Sequence, residues 1–127
     1  MVDFSLDIPG EHNYVRSVGA AGIRIADRCF TGPVLLTLDD ILTDWPPGDM
    51  SELRIEHLHA IFDLQPEVAL LGTGATHELL PRELLVEVYR QGVGLEVMAT
   101  DAACRTFNLL ASDGRKVVAG LLPMRRD

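Results

Sequence analysis

Apolar and polar residues alternate in short runs through the first third of the chain, which is typical of β-strands. The alternation covers residues 14–18 and 23–25, with a glycine-bounded break at 19–22 between them. A nearly continuous apolar run at 34–38 and a short strand at 41–45 follow, and the second ends before two prolines, which cannot extend a β-ladder. Because short connections join these strands, we expect an antiparallel or mixed arrangement in this half.

The second half of the chain contains helical patterns. Apolar residues at helical spacing predict one helix around residues 58–62, a second after Pro81 and a third from Thr100. We expect Gly92 to end the second helix in the left-handed conformation, and Thr100 to cap the third. The apolar stripe predicted for the second helix consists of Leu84, Leu85, Val88 and Tyr89.

Three apolar segments between and after these helices predict buried strands, at residues 67–71, 93–98 and 116–122. The resulting order α-β-α-β-α-β, with short connections, predicts parallel strands joined by right-handed crossovers, with helices packed on a sheet. No repeat, low-complexity segment or linker interrupts the chain, so we expect residues 1–127 to form a single domain.

Composition excludes several classes of protein. The 127 residues are 47% hydrophobic and 24% charged, the balance of a folded globular protein. Nineteen acidic against eleven basic residues give a net charge of -8, which argues against a nucleic-acid partner because phosphate binding needs an excess of cations. No apolar run has the length of a membrane span, and residues 1–7 carry acids where a targeting peptide is basic. We therefore expect a soluble, cytoplasmic protein.

A long string of residues late in the chain is specific enough to indicate a family. Residues 100–108 have the sequence Thr-Asp-Ala-Ala-Cys-Arg-Thr-Phe-Asn, preceded by Gly-Thr-Gly at 72–74 and followed by Val-Val-Ala-Gly-Leu-Leu-Pro at 117–123. Earlier features in the matching order are Gly22, Gly32-Pro33 and Trp45-Pro46. The chain resembles a family of uncharacterised proteins that includes the mitochondrial respiratory complex I assembly factor 3 and the adipogenesis-associated domain protein of animals.

This resemblance implies a three-layer α/β single domain, with a central mixed sheet, helices on one side and an extra β-hairpin layer on the other. It implies little about chemistry, since the mitochondrial relative resembles an assembly partner rather than an enzyme. The chain departs from the family at Phe107, where tyrosine is common, and at Gly120, where alanine is usual. We expect neither departure to change the fold.

The glycine-rich segment at 72–77 is the most suggestive candidate site, because glycines after a buried strand let backbone N–H groups approach an anion. It is not a dinucleotide fingerprint, since His77 occupies a position that requires glycine or alanine, and the phosphate-loop pattern is absent. A plain turn is the favoured alternative, because glycine also serves wherever φ is positive.

The start of the third helix is the neighbouring strand-to-helix junction, and ligands of open α/β sheets bind beyond the carboxyl ends of adjacent strands. Arg105 would offer such a ligand a planar guanidinium for a carboxylate or phosphate. The alternatives are an ion pair with Asp101 four residues earlier, or a buried Arg105 that ties two elements together. The candidate ligand-binding residues are Gly72, Thr73, Gly74, Thr76, His77, Thr100 and Arg105.

Catalytic and metal-binding patterns are weak. Cys104 near a helix start has only His77 as a nearby base, and small buried cysteines are common, so we predict core positions for Cys104 and Cys29. His57 and His59 lie two apart on a predicted helix and point to nearly opposite sides, so they cannot share a metal ion. We therefore expect no catalytic residue, no metal and no cofactor.

The leading hypothesis is a non-enzymatic protein-interaction or assembly domain. Trp45, before two prolines, either contacts a partner or covers the core, and the core position is favoured. The alternative is a protein that binds a small anionic metabolite in a cleft between the loop at 72–74 and the helix starting at Thr100; homodimerisation through the hairpin layer also stays open. A filled junction with an exposed apolar patch favours the first hypothesis, and an open pocket favours the second.

Overall fold

The computed structural model describes residues 12–124. The prediction about a targeting peptide concerns residues 1–7, which lie outside this range. The strands are β1 (Val15–Gly19), β2 (Gly22–Ile25), β3 (Arg28–Phe30), β4 (Val34–Leu36), β5 (Ile41–Leu42), β6 (Val68–Gly72), β7 (Leu95–Met98) and β8 (Val117–Leu121). The helices are α1 (Ile55–Phe62), α2 (Arg82–Gln91) and α3 (Thr100–Ser112), with a short 3-10 helix at Met50–Glu52.

Five strands form a mixed central sheet in the order β5-β4-β8-β6-β7. β6 is parallel to both β7 and β8, whereas β4 is antiparallel to β5 and β8. All residues of β8 are buried, as expected for a strand covered on both faces. The predicted combination of an antiparallel first half and a parallel second half is confirmed.

The extra β layer is a three-stranded antiparallel sheet, β1-β2-β3, rather than a two-stranded hairpin. The third strand arises because Ala26 adopts a φ of 55°, so Ala26 and Asp27 form a two-residue turn that pairs Ile25 with Arg28. The sequence places Cys29 and Phe30 in a strand region but does not predict a separate third strand, since an Ala-Asp turn lacks the usual Asn-Gly or Asp-Gly pattern and the strand has three residues.

The two faces of the central sheet contact different elements. One face, with Leu71 and Val118, packs against α1, α2 and Trp45. The other, with Leu70 and Ala119, packs against α3 and the small sheet. The mixed α/β class is thus confirmed, and α3 shares the small sheet's side, whereas the resemblance placed the helices on one side.

The position of α3 follows from the strand order. The chain moves from β6 outward to the edge at β7, and then back across β6 to β8. Because right-handed crossovers that run in opposite directions place their helices on opposite faces, α2 and α3 lie on opposite faces of the sheet. Over residues 12–124, no helix combines the length and apolarity that crossing a bilayer requires.

Trp45 is buried in the core, as predicted, with 3% of its surface exposed. Its Nε1 donates a hydrogen bond to the carbonyl of His57, at 3.1 Å. A Cβ on Gly120 would lie 2.6 Å from the Trp45 ring, so the indole occupies the place that an alanine methyl group would need. Phe107, the other departure from the family, lies on α3 and is fully buried against the face of the central sheet that α3 covers.

Candidate functional site

The predicted cleft lies where β6 ends and α3 begins, and the structure joins these two segments directly. The N–H of Thr73 donates to the carbonyl of Met98 at 2.8 Å, and the N–H of Thr100 donates to the carbonyl of Gly74 at 2.9 Å. The loop after β6 therefore continues the pairing of β6 with β7 as far as the first residue of α3. We call this region the junction.

Thr100 connects three segments at the junction. Its hydroxyl accepts a hydrogen bond from the N–H of Gly74 at 2.9 Å and donates one to the carbonyl of Leu122 at 2.7 Å. The predicted capping role is wrong, because Ala99 occupies the capping position and Thr100 is the first helical residue. Since Thr100 is fully buried, its hydroxyl holds the loop after β6 to the end of β8 and is closed to solvent.

The glycines of the junction allow a close approach of backbone segments. A Cβ on Gly72 would lie 2.7 Å from the Thr100 hydroxyl and 2.8 Å from the Thr100 Cα, so only glycine fits without a shift. Gly74 has a φ of 109°, a conformation that favours glycine. These are the requirements of the turn interpretation, and the N–H groups of Thr73 and Gly74 are bonded within the chain.

The remaining loop residues separate into buried and exposed positions. The buried Thr73 hydroxyl donates to the carbonyl of Thr76 at 2.6 Å and accepts from the N–H of Glu78 at 3.2 Å, which closes the loop. Thr76 and His77 face solvent. The ligand-binding role of these residues stays a prediction.

Arg105 lies outside the junction. Its side chain is 71% exposed, and its guanidinium lies 3.7 Å from the carboxylate of Asp101, one turn earlier in α3. This is the helical ion pair that the spacing allowed. Of the candidate residues, the structure brings together Gly72, Thr73, Gly74 and Thr100, and leaves Thr76, His77 and Arg105 on the surface.

The two cysteines differ. Cys104 is buried, as predicted, and burial, reinforced by the negative charge of Asp101 and only partly offset by Arg105, raises the pKa of its thiol to about 12. The core prediction for Cys29 is wrong, because Cys29 is exposed on β3. It pairs in register with Arg24, which lies between two buried residues of β2 and so faces outward.

The two histidines of α1 have separate partners. His57 is buried, and its Nδ1 accepts a hydrogen bond from the N–H of Arg54 at 2.9 Å. The Nε2 of His59 lies 2.6 Å from the carboxylate of Glu87 on α2. This hydrogen bond lowers the pKa of Glu87, against the opposing effect of desolvation. Within the described range, 12–124, no group of three or more His, Cys, Asp or Glu residues is placed to hold a metal ion.

The outward side of α2 is the surface that sequence analysis missed. α2 buries Leu84 and Val88 as predicted, but Leu85 is 41% exposed, Val86 46% and Tyr89 77%. With α1, the helix borders an open groove of about 420 Å³. The groove is lined by Ile55, Arg82, Glu83, Val86, Glu87 and Arg90. We define the outer α2 surface as Arg82, Leu85, Val86, Tyr89 and Arg90.

A signal for this surface exists in the sequence. Apolar residues occupy five of the seven positions from Leu84 to Arg90, a band wider than the single stripe that packing on one sheet needs. The surplus on a helix of this kind remains exposed or contacts another molecule.

A comparison with protein families places the chain. The model of the family described as a protein of unknown function (DUF498/DUF598) matches residues 15–122. The chain belongs to this family. Membership in DUF498/DUF598 confirms the resemblance that the motifs at 72–74, 100–108 and 117–123 indicated.

Relatives of this DUF498/DUF598 protein include both named and uncharacterised proteins. A Danio rerio protein, NADH dehydrogenase (ubiquinone) 1 alpha subcomplex assembly factor 3, is 36% identical over 111 residues, covering 86% of this chain and 63% of that protein. The chain thus spans less than two thirds of that relative. An uncharacterised Rhodobacter capsulatus protein is 47% identical over 106 residues, covering 84% of this chain and 81% of its own length. A Bordetella parapertussis crystal structure matches with a TM-score of 0.82 and 32% identity, over 91% of this chain and 99% of that one.

Proposed function

We propose that this DUF498/DUF598 protein is a non-enzymatic interaction domain with a role in assembly, and that its partner is another protein. The observation that carries the proposal is the outer α2 surface, where the side chains of Leu85, Val86 and Tyr89 face solvent side by side. Exposed apolar groups that adjoin one another on a folded domain are typical of protein-interaction sites.

The residue types support this proposal. Tyrosine and arginine are enriched among the residues that contribute most to binding, and both occur on the outer α2 surface. Full burial of an entirely exposed leucine contributes about 1.5–3 kcal/mol, and the parts of Leu85 and Tyr89 that face water would contribute in proportion to their exposed area. The name of the Danio rerio relative adds a role in assembly, which we transfer without that protein's own partner because this chain spans 63% of its length.

We place the protein in the cytoplasm, and its two free cysteines support a reducing compartment. The alternative function, binding of an anionic metabolite at the junction, and dimerisation through the small sheet both stay predictions. The internal hydrogen bonds of Thr73 and Thr100 favour the interaction domain over that alternative.

Affinity purification with quantitative mass spectrometry tests the proposal. The tagged wild type is compared in its native cells with the double variant Leu85→Ser/Tyr89→Ser and with Leu109→Ser, which removes a leucine that is 65% exposed on α3. We expect the double variant to lose at least nine-tenths of the recovered partner, while Leu109→Ser recovers it as the wild type does. Equal recovery by all three proteins would contradict the proposal.

A ligand screen separates the alternative function. Thermal unfolding of the wild type and Arg105→Ala is measured against a panel of anionic metabolites, because a ligand that binds only the folded state raises the melting temperature. A metabolite that raises the melting temperature of the wild type and of Arg105→Ala alike would favour a metabolite site at the junction, because Arg105 lies outside it.

A further inference from the structure

Arg82, Val86 and Arg90 form one row along α2, inclined to the helix axis, because they lie four residues apart. The two arginines are eight positions apart, so their attachment points lie about 12 Å apart along the axis. Val86 lies between them, and Ile55 of α1 lines the same groove. The groove therefore has an apolar centre with a cation toward each end.

The acidic side chains of the groove already have compensation within the protein. The carboxylate of Glu87 lies 2.6 Å from His59 Nε2 and accepts a hydrogen bond from Gln91 Nε2 at 3.1 Å. Glu83 lies in the first turn of α2, where the partial positive charge of the helix N-terminus stabilises it. The groove carries as many acids as arginines, and both acids already interact favourably within the protein.

The two arginines have little or no compensation. Arg90 is 73% exposed, and its ion pair with Glu87, at 3.8 Å, is longer than a hydrogen bond. In the part of the chain that the structure describes, Arg82 makes no hydrogen bond or ion pair. Both cations are thus available to a carboxylate from outside.

The position of Arg82 on its helix points to an external anion. Arg82 is the first helical residue of α2 and follows Pro81, which makes no side-chain cap. A cation is unfavourable there, because it faces the positive end of the helix dipole. A carboxylate placed beside Arg82 would interact favourably with both the guanidinium and that helix end.

The charge of the whole protein limits what binds elsewhere. With nineteen acidic and eleven basic residues, the chain carries a net charge of -8. An acidic partner is therefore repelled by most of the molecule and attracted where cations adjoin apolar side chains. The row of Arg82, Val86 and Arg90 combines these two features.

We propose that the groove between α1 and α2 binds an acidic amphipathic helix of a partner protein. One carboxylate of that helix pairs with Arg82, a second, eight residues away, pairs with Arg90, and an apolar side chain midway between them contacts Val86 and Ile55. A helix fits because a groove between two helices accepts another through apolar contacts repeated every three to four residues. This inference rests on the proposed function and names the partner's chemistry.

Site-specific photo-crosslinking tests the inference. A photoreactive amino acid replaces Val86, or Leu109 as the control position, in the full chain in native cells, and cross-linked peptides are identified by mass spectrometry. We expect Val86 to capture a segment with two acidic residues eight apart and an apolar residue midway. In the chain with the photoreactive residue at position 86, we expect Arg82→Glu/Arg90→Glu to lower that capture at least tenfold. Arg105→Glu is expected to leave it unchanged.

A second measurement compares peptide binding by purified variants that are shown to be folded. A synthetic peptide of the captured segment is titrated into the purified proteins, whose folding is checked by circular dichroism. We expect its Kd for the wild type to rise at least fivefold between 50 mM and 500 mM NaCl, because salt screens exposed charges. The Kd for the Arg82→Glu/Arg90→Glu variant is expected to be at least tenfold higher than for the wild type at low salt.

The possible failures are distinguishable. Capture of a neutral or basic segment at Val86, or capture that charge reversal does not change, overturns this inference and leaves the proposed function intact. If position 86 captures nothing while Leu85→Ser/Tyr89→Ser still loses its partner, this inference is again overturned and the proposed function stays intact. Absence of capture together with normal recovery by Leu85→Ser/Tyr89→Ser overturns both.

Discussion

The junction and the outer α2 surface use their side chains in opposite ways. At the junction, the hydroxyls of Thr73 and Thr100 and the N–H of Gly74 are bonded within the chain and closed to solvent. On the outer α2 surface, Tyr89 and Arg82 face water without comparable contacts. Glycine and threonine at strand ends thus indicate where backbone segments meet, whereas the exposed surface is marked in the sequence only by the surplus of apolar residues on α2.

The largest expected effect concerns the face of α3 that packs on the central sheet, where Cys104 is buried. The pKa of Cys104 is raised from 9.0 to about 12 by burial, which lowers its thiolate fraction about a thousandfold at neutral pH. In iodoacetamide labelling at pH 8 followed by mass spectrometry, we expect Cys29 to react in the folded protein and Cys104 only after denaturation. Labelling of Cys104 at the rate of Cys29 would show that this side of the molecule opens.

A change at the centre of the junction is expected to cost substantial stability. Thr100→Val keeps the side-chain shape but leaves the N–H of Gly74 and the carbonyl of Leu122 without their partner, which costs about 2–3 kcal/mol in the free energy of unfolding. Thr106→Val is the matched control, because among the described residues its hydroxyl hydrogen-bonds to the sulfur of Met98, at 3.5 Å, and not to the backbone. Urea denaturation measures both, and equal losses would show that the Thr100 hydrogen bonds are unimportant.

On the outer α2 surface a charge reversal is expected to stabilise the isolated protein. Arg82→Glu replaces an unfavourable cation with a favourable anion at the N-terminus of α2, which raises the free energy of unfolding by about 0.5–1 kcal/mol. Arg105→Glu, in contrast, loses an exposed ion pair with Asp101 and lowers it by a few tenths of a kcal/mol. Thermal unfolding at low salt measures the two signs, and a destabilising Arg82→Glu would mean that Arg82 supports the fold.

The smallest expected effect links α1 and α2 to pH. The hydrogen bond from His59 lowers the pKa of Glu87 in the folded state, so its stabilising contribution is present above the ordinary pKa of 4.5 and is lost as pH falls through the lowered value. We expect Glu87→Gln to be less stable than the wild type at pH 6, with the difference shrinking as pH falls below 4.5. Glu83→Gln, its neighbour in the groove, serves as the control in urea denaturation at each pH.

The sequence predicted the fold well where hydrophobic periodicity is local. The strands and helices of the second half follow directly from such patterns, and Gly92 ends α2 with a φ of 73°, as expected. The prediction of the small sheet was incomplete, because β3 has only three residues. The side on which α3 packs depends on the order of strands in the sheet, which no local pattern contains.

The candidate sites show the same division. The spacing of Asp101 and Arg105 predicts their ion pair, since it depends only on helix geometry. Whether Thr100 faces a ligand or the carbonyl of Leu122 depends on β8, which is distant in sequence. Likewise, exposure of Leu85 and Tyr89 depends on which part of α2 meets the sheet, and an apolar stripe alone does not decide it.

The place of β8 has a consequence for how the protein is made. β8 lies between β4 and β6 in the sheet, yet it follows both in the sequence, so a ribosome synthesises the sheet's centre after its neighbours. Until Val117–Leu121 emerges, β4 and β6 have no strand between them, and their apolar faces lack a complete core. Such incomplete chains are prone to aggregate, so nascent molecules of this fold depend on rapid closure after synthesis or on shielding by chaperones.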